Sequence, residues 1–134
     1  MMRMAEVSLD EFDAVMPVAH ALMSALRKLP LFAGTVYRGI KERPMGAEAF
    51  ERFVREHETE IEVYHPGLIG ASTSERGALR GRARLIIESR TGRDISSLSA
   101  KPGQGEVLFA PPLRLRPDEV VRVGKVVKIW ASET

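Results

Sequence analysis

The sequence predicts a segregated α+β fold, in which helical patterns come first and strand patterns dominate the second half of the chain. Apolar residues recur at helical spacing from Ser8 to Lys28, whereas alternating and β-branched runs follow from Glu60 onward. Proline and glycine interrupt these later runs at close intervals. The 134 residues suffice for one domain with a hydrophobic core and hardly for two, so a single domain over residues 1–134 is expected.

Two helices are predicted. The first spans Ser8–Lys28, is expected to kink or divide at Pro17, and ends before Pro30. The second is predicted over Gly46–His57, since three apolar side chains there share one helical face: Ala49, Phe50 and Phe53.

The strand patterns are short and closely spaced. One run, Thr35–Arg38, lies between the two helices. The others, which alternate or are rich in β-branched residues, are Glu60–His65, Leu68–Ser72, Arg82–Ser89, Glu106–Ala110, Leu113–Arg116, Glu119–Val123 and Lys125–Ser132.

The composition excludes several classes of site. Cysteine is absent, which rules out disulfides and thiolate zinc sites, and the three histidines have no metal-ligand spacing, so no metal is expected. No apolar run approaches the roughly 20 residues that span a bilayer, and the N-terminus lacks the apolar stretch of a signal peptide. No membrane association is therefore expected.

The net charge of +2 is mildly basic, and its densest part is a set of four alternate or nearby arginines: Arg76, Arg80, Arg82 and Arg84. Such a run could contact phosphate groups. It is also typical of a solvated strand face that alternates with buried positions, which is the more common arrangement.

Arg38 ends the run "TVYR" and directly precedes Gly39. An arginine at a strand end can hold a phosphate through its planar, bidentate guanidinium, and a following glycine lets a ligand approach the backbone closely. An ordinary salt bridge at a strand terminus is the structural alternative.

A hydroxyl cluster, Ser72–Ser74, follows the apolar run "LIGA". These hydroxyls could cap a helix beginning near Glu75, or they could orient a catalytic carboxylate. A nucleophile elbow, G-x-S-x-G, is excluded because Ser74 occupies the position of its last glycine. That motif also requires a histidine after the serine in the chain, and all three histidines precede Ser72.

Gln104 and Glu106 flank Gly105 just before the strand run "VLFA". Strand alternation places their side chains on one face. A solvated charge at the strand edge is the usual role of such a glutamate. Together with Arg38 and Ser72, however, it forms a set with a definite chemistry.

Taken together, these stretches resemble the R-S-E class of mono-ADP-ribosyltransferases, which includes many bacterial toxins and effectors. The matching pieces, in the family's order between Leu29 and Pro112, are "LPLFAGTVYRG", "STS", "SRTGRDISSLS" and "GQGEVLFAPP". The resemblance implies the ADP-ribosyltransferase fold: N-terminal helices followed by a split β-sandwich of two small, mostly antiparallel sheets around an NAD cleft.

The resemblance also implies a role for each matching residue, with NAD as co-substrate and no metal. Arg38 would hold the phosphate side of NAD, and Gly39 would present its backbone to the nicotinamide amide. Ser72 would bind the nicotinamide ribose and position Glu106, the catalytic glutamate, while Thr73 and Ser74 would support the strand end. Gln104 would meet the acceptor.

Arginine-modifying members of this family usually carry Glu-x-Glu, whereas this chain has Gln104-Gly105-Glu106. The resemblance therefore implies transfer of ADP-ribose to a macromolecular acceptor, and it favours a protein side chain other than arginine. Structured RNA as the acceptor, NAD hydrolysis and an inactive binding module on the same fold stay open as alternatives. The class further implies delivery within a larger secreted protein, action in the cytoplasm of a target cell, and an immunity or inhibitor protein as a partner.

Overall fold

The computed structural model describes residues 21–78, 81–98 and 105–134. Helix α1 covers residues 21–26, and helix α2 covers Ala47–Thr59. The second predicted helix is confirmed, and it continues to Thr59 instead of ending at His57. The first is confirmed over its described part, whereas Pro17 lies outside the described residues. Neither of these helices has the length and apolar character needed to span a membrane.

Strands form about half of the described chain, which also contains two short 3-10 helices, Glu75–Ala78 and Ser96–Leu98. The strands are β1 (Leu31–Ile40), β2 (Val63–His65), β3 (Ile69–Ser72), β4 (Ala83–Asp94), β5 (Glu106–Phe109), β6 (Leu113–Val123) and β7 (Val126–Glu133). The two strands predicted on either side of Asp118 are one strand, β6. Its register against β7 shifts between Pro117 and Glu119, and this irregularity accommodates a proline that cannot donate to the ladder.

The described strands hydrogen-bond in the order β1-β3-β5-β4-β7-β6-β2, and β1 also pairs with β4. Strands β1, β4, β7, β6 and β2 make the larger part of the sheet. The short pair β3 and β5 bridges β1 and β4, pairing with β1 at Tyr37 and with β4 at Asp94. Every pairing is antiparallel except that of β4 with β7. The predicted α+β class with mostly antiparallel strands is confirmed.

The core lies between α2, the larger part of the sheet and the β3–β5 pair. Phe50 and Val54 of α2 are fully buried and belong to the same apolar cluster as Phe109 of β5. Strand β1 contributes Val36 and Ile40 to this cluster. Because alternate strand residues share a face, Arg38 lies on the core side of β1 between them.

Two arginines of the basic run, Arg82 and Arg84, lie just before and on strand β4, as the alternating interpretation predicted, whereas Arg76 lies in the 3-10 helix Glu75–Ala78. Arg82 donates to Glu42 at 3.0 Å, and its guanidinium lies 4.8 Å from the ring of Phe50. Arg84 lies 3.9 Å from Glu75, and the intervening Ala83 is fully buried. These two arginines therefore hold parts of the fold together, whereas Arg80 lies outside the described residues.

Two histidines that the sequence did not connect are in contact, one on α2 and one on β2. His57 of α2 and His65 of β2 are buried, with their Nε2 atoms 3.2 Å apart. The Nδ1 atom of His57 is 2.8 Å from the carbonyl oxygen of Phe53, so Nδ1–H donates there and Nε2 accepts from His65. His57 is neutral in this arrangement because its Nε2 accepts a hydrogen bond and carries no proton, and a proton on both imidazoles would leave two buried like charges in contact.

Acidification is expected to destabilise the protein through this pair. Burial lowers the pKa of His65 to about 4 and also lowers the pKa of His57. The unfolded chain takes up a proton at His65 near its ordinary value of about 6.5, so the unfolded state binds more protons between these values. The free energy of unfolding should therefore fall by about 3 kcal/mol between about pH 6.5 and pH 4.

Urea unfolding at about pH 7.5 and pH 4.5 measures this change. His65→Gln should remove most of the dependence, and His57 should account for what remains. An equal loss of stability in the wild type and in the His65→Gln variant would assign the pH dependence to other groups.

Candidate active site

Three adjacent strands bring the predicted site residues together. Tyr37 of β1 lies opposite Ser72 of β3, and Ser72 lies opposite Glu106 of β5. Arg38 follows Tyr37 directly, so arginine, serine and glutamate occupy neighbouring positions on consecutive strands. These strands are distant in the sequence, and only the sheet topology makes them neighbours.

A cleft of about 780 Å³ opens at this row of residues. Ligand pockets in proteins typically have volumes of about 300–1,000 Å³, so the cleft is large enough for a sizeable small molecule. Its walls include all the predicted site residues that the structure describes: Arg38, Gly39, Ser72, Thr73, Ser74 and Glu106. Gln104, the remaining predicted residue, lies outside the described residues.

Several cleft residues were not predicted to take part. Arg76 was noted only within the basic run, and Ile95 only within a stretch that resembles the family. The alternation of β1 gave no reason to choose Tyr37, which lies beside Arg38 on the other face. Apolar residues of β5, Val107 and Leu108, complete this wall of the cleft.

Arg38 is a partly buried cation whose charge lacks an acidic partner in the described parts of the chain. Its Nη1 donates to the carbonyl oxygen of Gly70 at 2.7 Å. Burial lowers the pKa of the Arg38 guanidinium, because removing a cation from water disfavours the charged form. A bound anion would compensate that cost and occupy the remaining donors of the fork.

The three hydroxyl residues shape the turn after β3. Ser72 Oγ accepts from the backbone N–H of Ser74 at 3.1 Å, and Ser74 Oγ accepts from the backbone N–H of Arg76 at 3.3 Å. The second bond caps the 3-10 helix that begins at Glu75, as the structural alternative for this cluster predicted. The cluster thus orders the rim of the cleft and also lines it.

Gly105 and Thr73 bring the end of β3 and the start of β5 into close contact. The backbone N–H of Thr73 donates to the carbonyl oxygen of Gly105 at 2.9 Å. Gly105 has a φ of 59°, and a Cβ at this position would lie 2.0 Å from the Thr73 hydroxyl oxygen. Glycine is therefore the residue that fits here, and the contact fixes the backbone immediately before Glu106.

Metal chemistry was not expected from the sequence. Within the described ranges, no group of three or more histidine, aspartate or glutamate side chains is arranged to hold a metal ion. Arg38 and Glu106 give the cleft lining one cationic and one acidic side chain.

Comparison with known proteins gave no matching family model. A curated relative, Mav of Mycobacterium avium (strain 104), is provisionally named an NAD(+)–arginine ADP-ribosyltransferase. It is 32% identical over 89 residues, which are 66% of this chain and 10% of that protein. The chain thus spans a tenth of the length of this relative.

Solved structures resemble nearly the whole chain. The ADP-ribosyltransferase HopU1 of Pseudomonas syringae pv. Tomato DC3000 matches with a TM-score of 0.81 and 22% identity, covering 98% of this chain and 58% of that one. The ADP-ribosyltransferase Vis, a toxin from Vibrio splendidus, matches in its agmatine complex with a TM-score of 0.73 and 22% identity, covering 100% and 64%. This chain has the ADP-ribosyltransferase fold.

The type III effector XopAI from Xanthomonas axonopodis pv. citri is a further match to this ADP-ribosyltransferase-fold domain. Its TM-score is 0.68 and its identity 26%, over 87% of this chain and 51% of that one. The resemblance predicted from the ordered motifs is thereby confirmed: the proteins that this domain is similar to are bacterial ADP-ribosyltransferases, effectors and toxins.

Proposed function

We propose that this domain is a mono-ADP-ribosyltransferase, which transfers ADP-ribose from NAD to a macromolecular acceptor and releases nicotinamide. The observation that carries the proposal is the convergence of Arg38, Ser72 and Glu106 on one cleft, where Arg38 is partly buried and forms no ion pair with a carboxylate of the described residues. NAD supplies what this cleft needs: a diphosphate for the cation and a ribose for the hydroxyl and the carboxylate.

Arg38 anchors the substrate in this proposal. Its guanidinium is already oriented by the bond to Gly70, so it loses little freedom when it binds phosphate oxygens. Gly39, which follows it in the cleft wall, offers backbone groups to the nicotinamide amide without a side chain in between.

Glu106 acts on the bond that breaks. Cleavage of the bond between the ribose C1′ and the nicotinamide nitrogen sends the electron pair to nicotinamide and leaves positive charge on the ribose, as in other glycosyl cleavages. A carboxylate held against the ribose hydroxyls stabilises that charge, and preorganised electrostatics of this kind contribute several kcal/mol. The acceptor then bonds to C1′ and loses its proton to solvent.

Ser72 and the Thr73–Gly105 contact place this carboxylate. Ser72 lies opposite Glu106 in the β3–β5 ladder, and the backbone bond from Thr73 to Gly105 holds the residue before it. Side chains fixed by the strands and by this contact keep a defined geometry, which charge stabilisation requires.

The acceptor proposed here is a protein side chain other than arginine. The support is the sequence Gln104-Gly105-Glu106, in which a neutral amide replaces the first glutamate of Glu-x-Glu. Arginine is the second candidate, because Mav is named an arginine transferase and Vis was crystallised with agmatine, an arginine analogue. Incubation with labelled NAD and whole lysate, followed by protease or ribonuclease, separates a protein acceptor from an RNA acceptor.

Gln104→Glu tests the choice of acceptor. The added charge should favour a guanidinium and leave a neutral acceptor without its hydrogen-bond partner. Labelling of the native target should therefore fall about tenfold to a hundredfold, while agmatine labelling rises and NAD hydrolysis continues. Wild-type labelling of agmatine at a rate matching the native target would contradict the non-arginine proposal.

We also propose that the domain acts as the catalytic part of a larger secreted or injected protein, in the cytoplasm of a target cell. The support is that it spans 10% of Mav and 58% of HopU1, and that its structural relatives include proteins named as effectors and toxins. A dedicated immunity or inhibitor protein is a further expected partner of such an enzyme.

A further inference from the structure

Strand β4 contains a bulge at the point where it changes partners. It pairs in parallel with β7 as far as Glu88 opposite Ser132, and it pairs with β5 from Arg93 onward. On its other edge, Ser89 and Gly92 lie opposite Gly34 and Phe32 of β1. Two residues of β4, at positions 90 and 91, thus oppose one residue of β1, which defines a β-bulge.

Glu133, the last residue of β7, holds this bulge. Its Oε1 accepts from the backbone N–H groups of Arg90 at 2.7 Å and Thr91 at 2.8 Å, and its Oε2 accepts from the Thr91 hydroxyl. These two N–H groups lie where the ladder with β7 has ended. The carboxylate therefore replaces the strand that would otherwise pair with them.

The position of Glu133 is unusual for a charged residue. It continues the buried face of β7 after Ile129 and Ala131, and only 9% of its surface is exposed. No cation among the described residues pairs with it, and its partners are the neutral donors of the bulge. An ionised carboxylate is costly to bury, so an apolar residue at this position would be expected if packing alone determined it.

The bulge leads directly to the cleft. Beyond it, Asp94 lies opposite Val107, and the backbone N–H of Ile95 donates to the carbonyl oxygen of Glu106 at 3.0 Å. Gly92 packs so closely that a Cβ there would lie 2.6 Å from Val107 Cγ1. A shift of the bulge should therefore move β5 and Glu106, which is the first residue of that strand.

We propose that Glu133 is a positioning residue for the ADP-ribosyl transfer proposed above: by holding the β4 bulge, its carboxylate sets where Glu106 stands in the cleft. The inference rests on that proposed function. Glu133 is not among the residues that line the cleft, so its effect passes through the backbone of β4 and β5. A displacement of about 1 Å at a reacting group can cost about a hundredfold in rate, so a residue outside the site can control it.

The experiment measures kcat and KM for nicotinamide release in the wild type, Glu133→Ala, Glu133→Gln and Thr91→Val. Glu133→Ala should lower kcat about a hundredfold with KM for NAD nearly unchanged, since Arg38 is undisturbed. Glu133→Gln keeps one oxygen for the two N–H groups and should recover much of the rate. Thr91→Val removes one donor and should lower kcat about tenfold. Glu119→Gln, an exposed glutamate of β6, is the matched control.

Hydrogen exchange provides a readout that does not depend on activity. The amides of β5 should exchange faster in Glu133→Ala and at the wild-type rate in Glu119→Gln. If the wild type releases nicotinamide while kcat per folded molecule is unchanged in Glu133→Ala, this inference is overturned and the proposed function stands. If the KM for NAD rises in Glu133→Ala by the same factor as kcat falls, the inference is also overturned. A wild type that leaves NAD intact overturns the proposed function, and the positioning role with it.

Discussion

Glu106→Gln is expected to lower kcat for nicotinamide release by about 10²–10³-fold, the cost of removing one preorganised electrostatic contact from a transition state. The substitution keeps the shape of the side chain and removes its negative charge. Because positive charge develops on the ribose only as the bond breaks, the loss should appear in kcat and leave the affinity for NAD nearly unchanged.

Chromatographic detection of nicotinamide measures the rate, and calorimetric titration measures the affinity. Glu119→Gln serves again as the control, since it removes a charge from an exposed strand position that is not part of the cleft lining. A Glu106→Gln variant with the wild-type kcat would remove this residue from the mechanism.

Arg38→Lys has the second-largest expected effect, a rise of about tenfold to a hundredfold in the Kd for NAD although the charge is kept. An ammonium group cannot contact two phosphate oxygens in one plane. It also lacks the planar set of donors with which a guanidinium can bond to the carbonyl oxygen of Gly70 and to a phosphate at the same time.

The matched control is Arg52→Lys, the same substitution at an exposed position of α2. It should leave the Kd unchanged when both variants are titrated with NAD at the same salt concentration. Equal affinity in the Arg38→Lys variant and the wild type would assign Arg38 a structural role at the end of β1.

Local patterns predicted most of the fold because they report burial directly. The apolar face of α2 and the alternation of β4 identified those elements, and their ends differ by a few residues from the structure. The join that makes β6 one strand was missed, since Pro117 normally interrupts a strand. Only the register shift against β7 allows it to stay in the ladder.

The candidate site was predicted one residue at a time, and its assembly depends on contacts between distant parts of the chain. Arg38, Ser72 and Glu106 were recognisable at strand ends, but nothing in their spacing shows that β1, β3 and β5 are neighbours. The ordered motifs of the family supplied that information. Glu133 and the pair of His57 and His65 carry no motif, and each depends on a partner in another element.

The central claim is that this cleft binds NAD and breaks its nicotinamide bond. The most direct measurement incubates the domain with NAD labelled in its adenine and follows both nicotinamide and the label, with and without lysate. Nicotinamide release should depend on Glu106, free ADP-ribose should form slowly without lysate, and the label should be transferred to a macromolecule when lysate is present. Intact NAD under both conditions, with no change when Glu106 is replaced, would contradict the central claim.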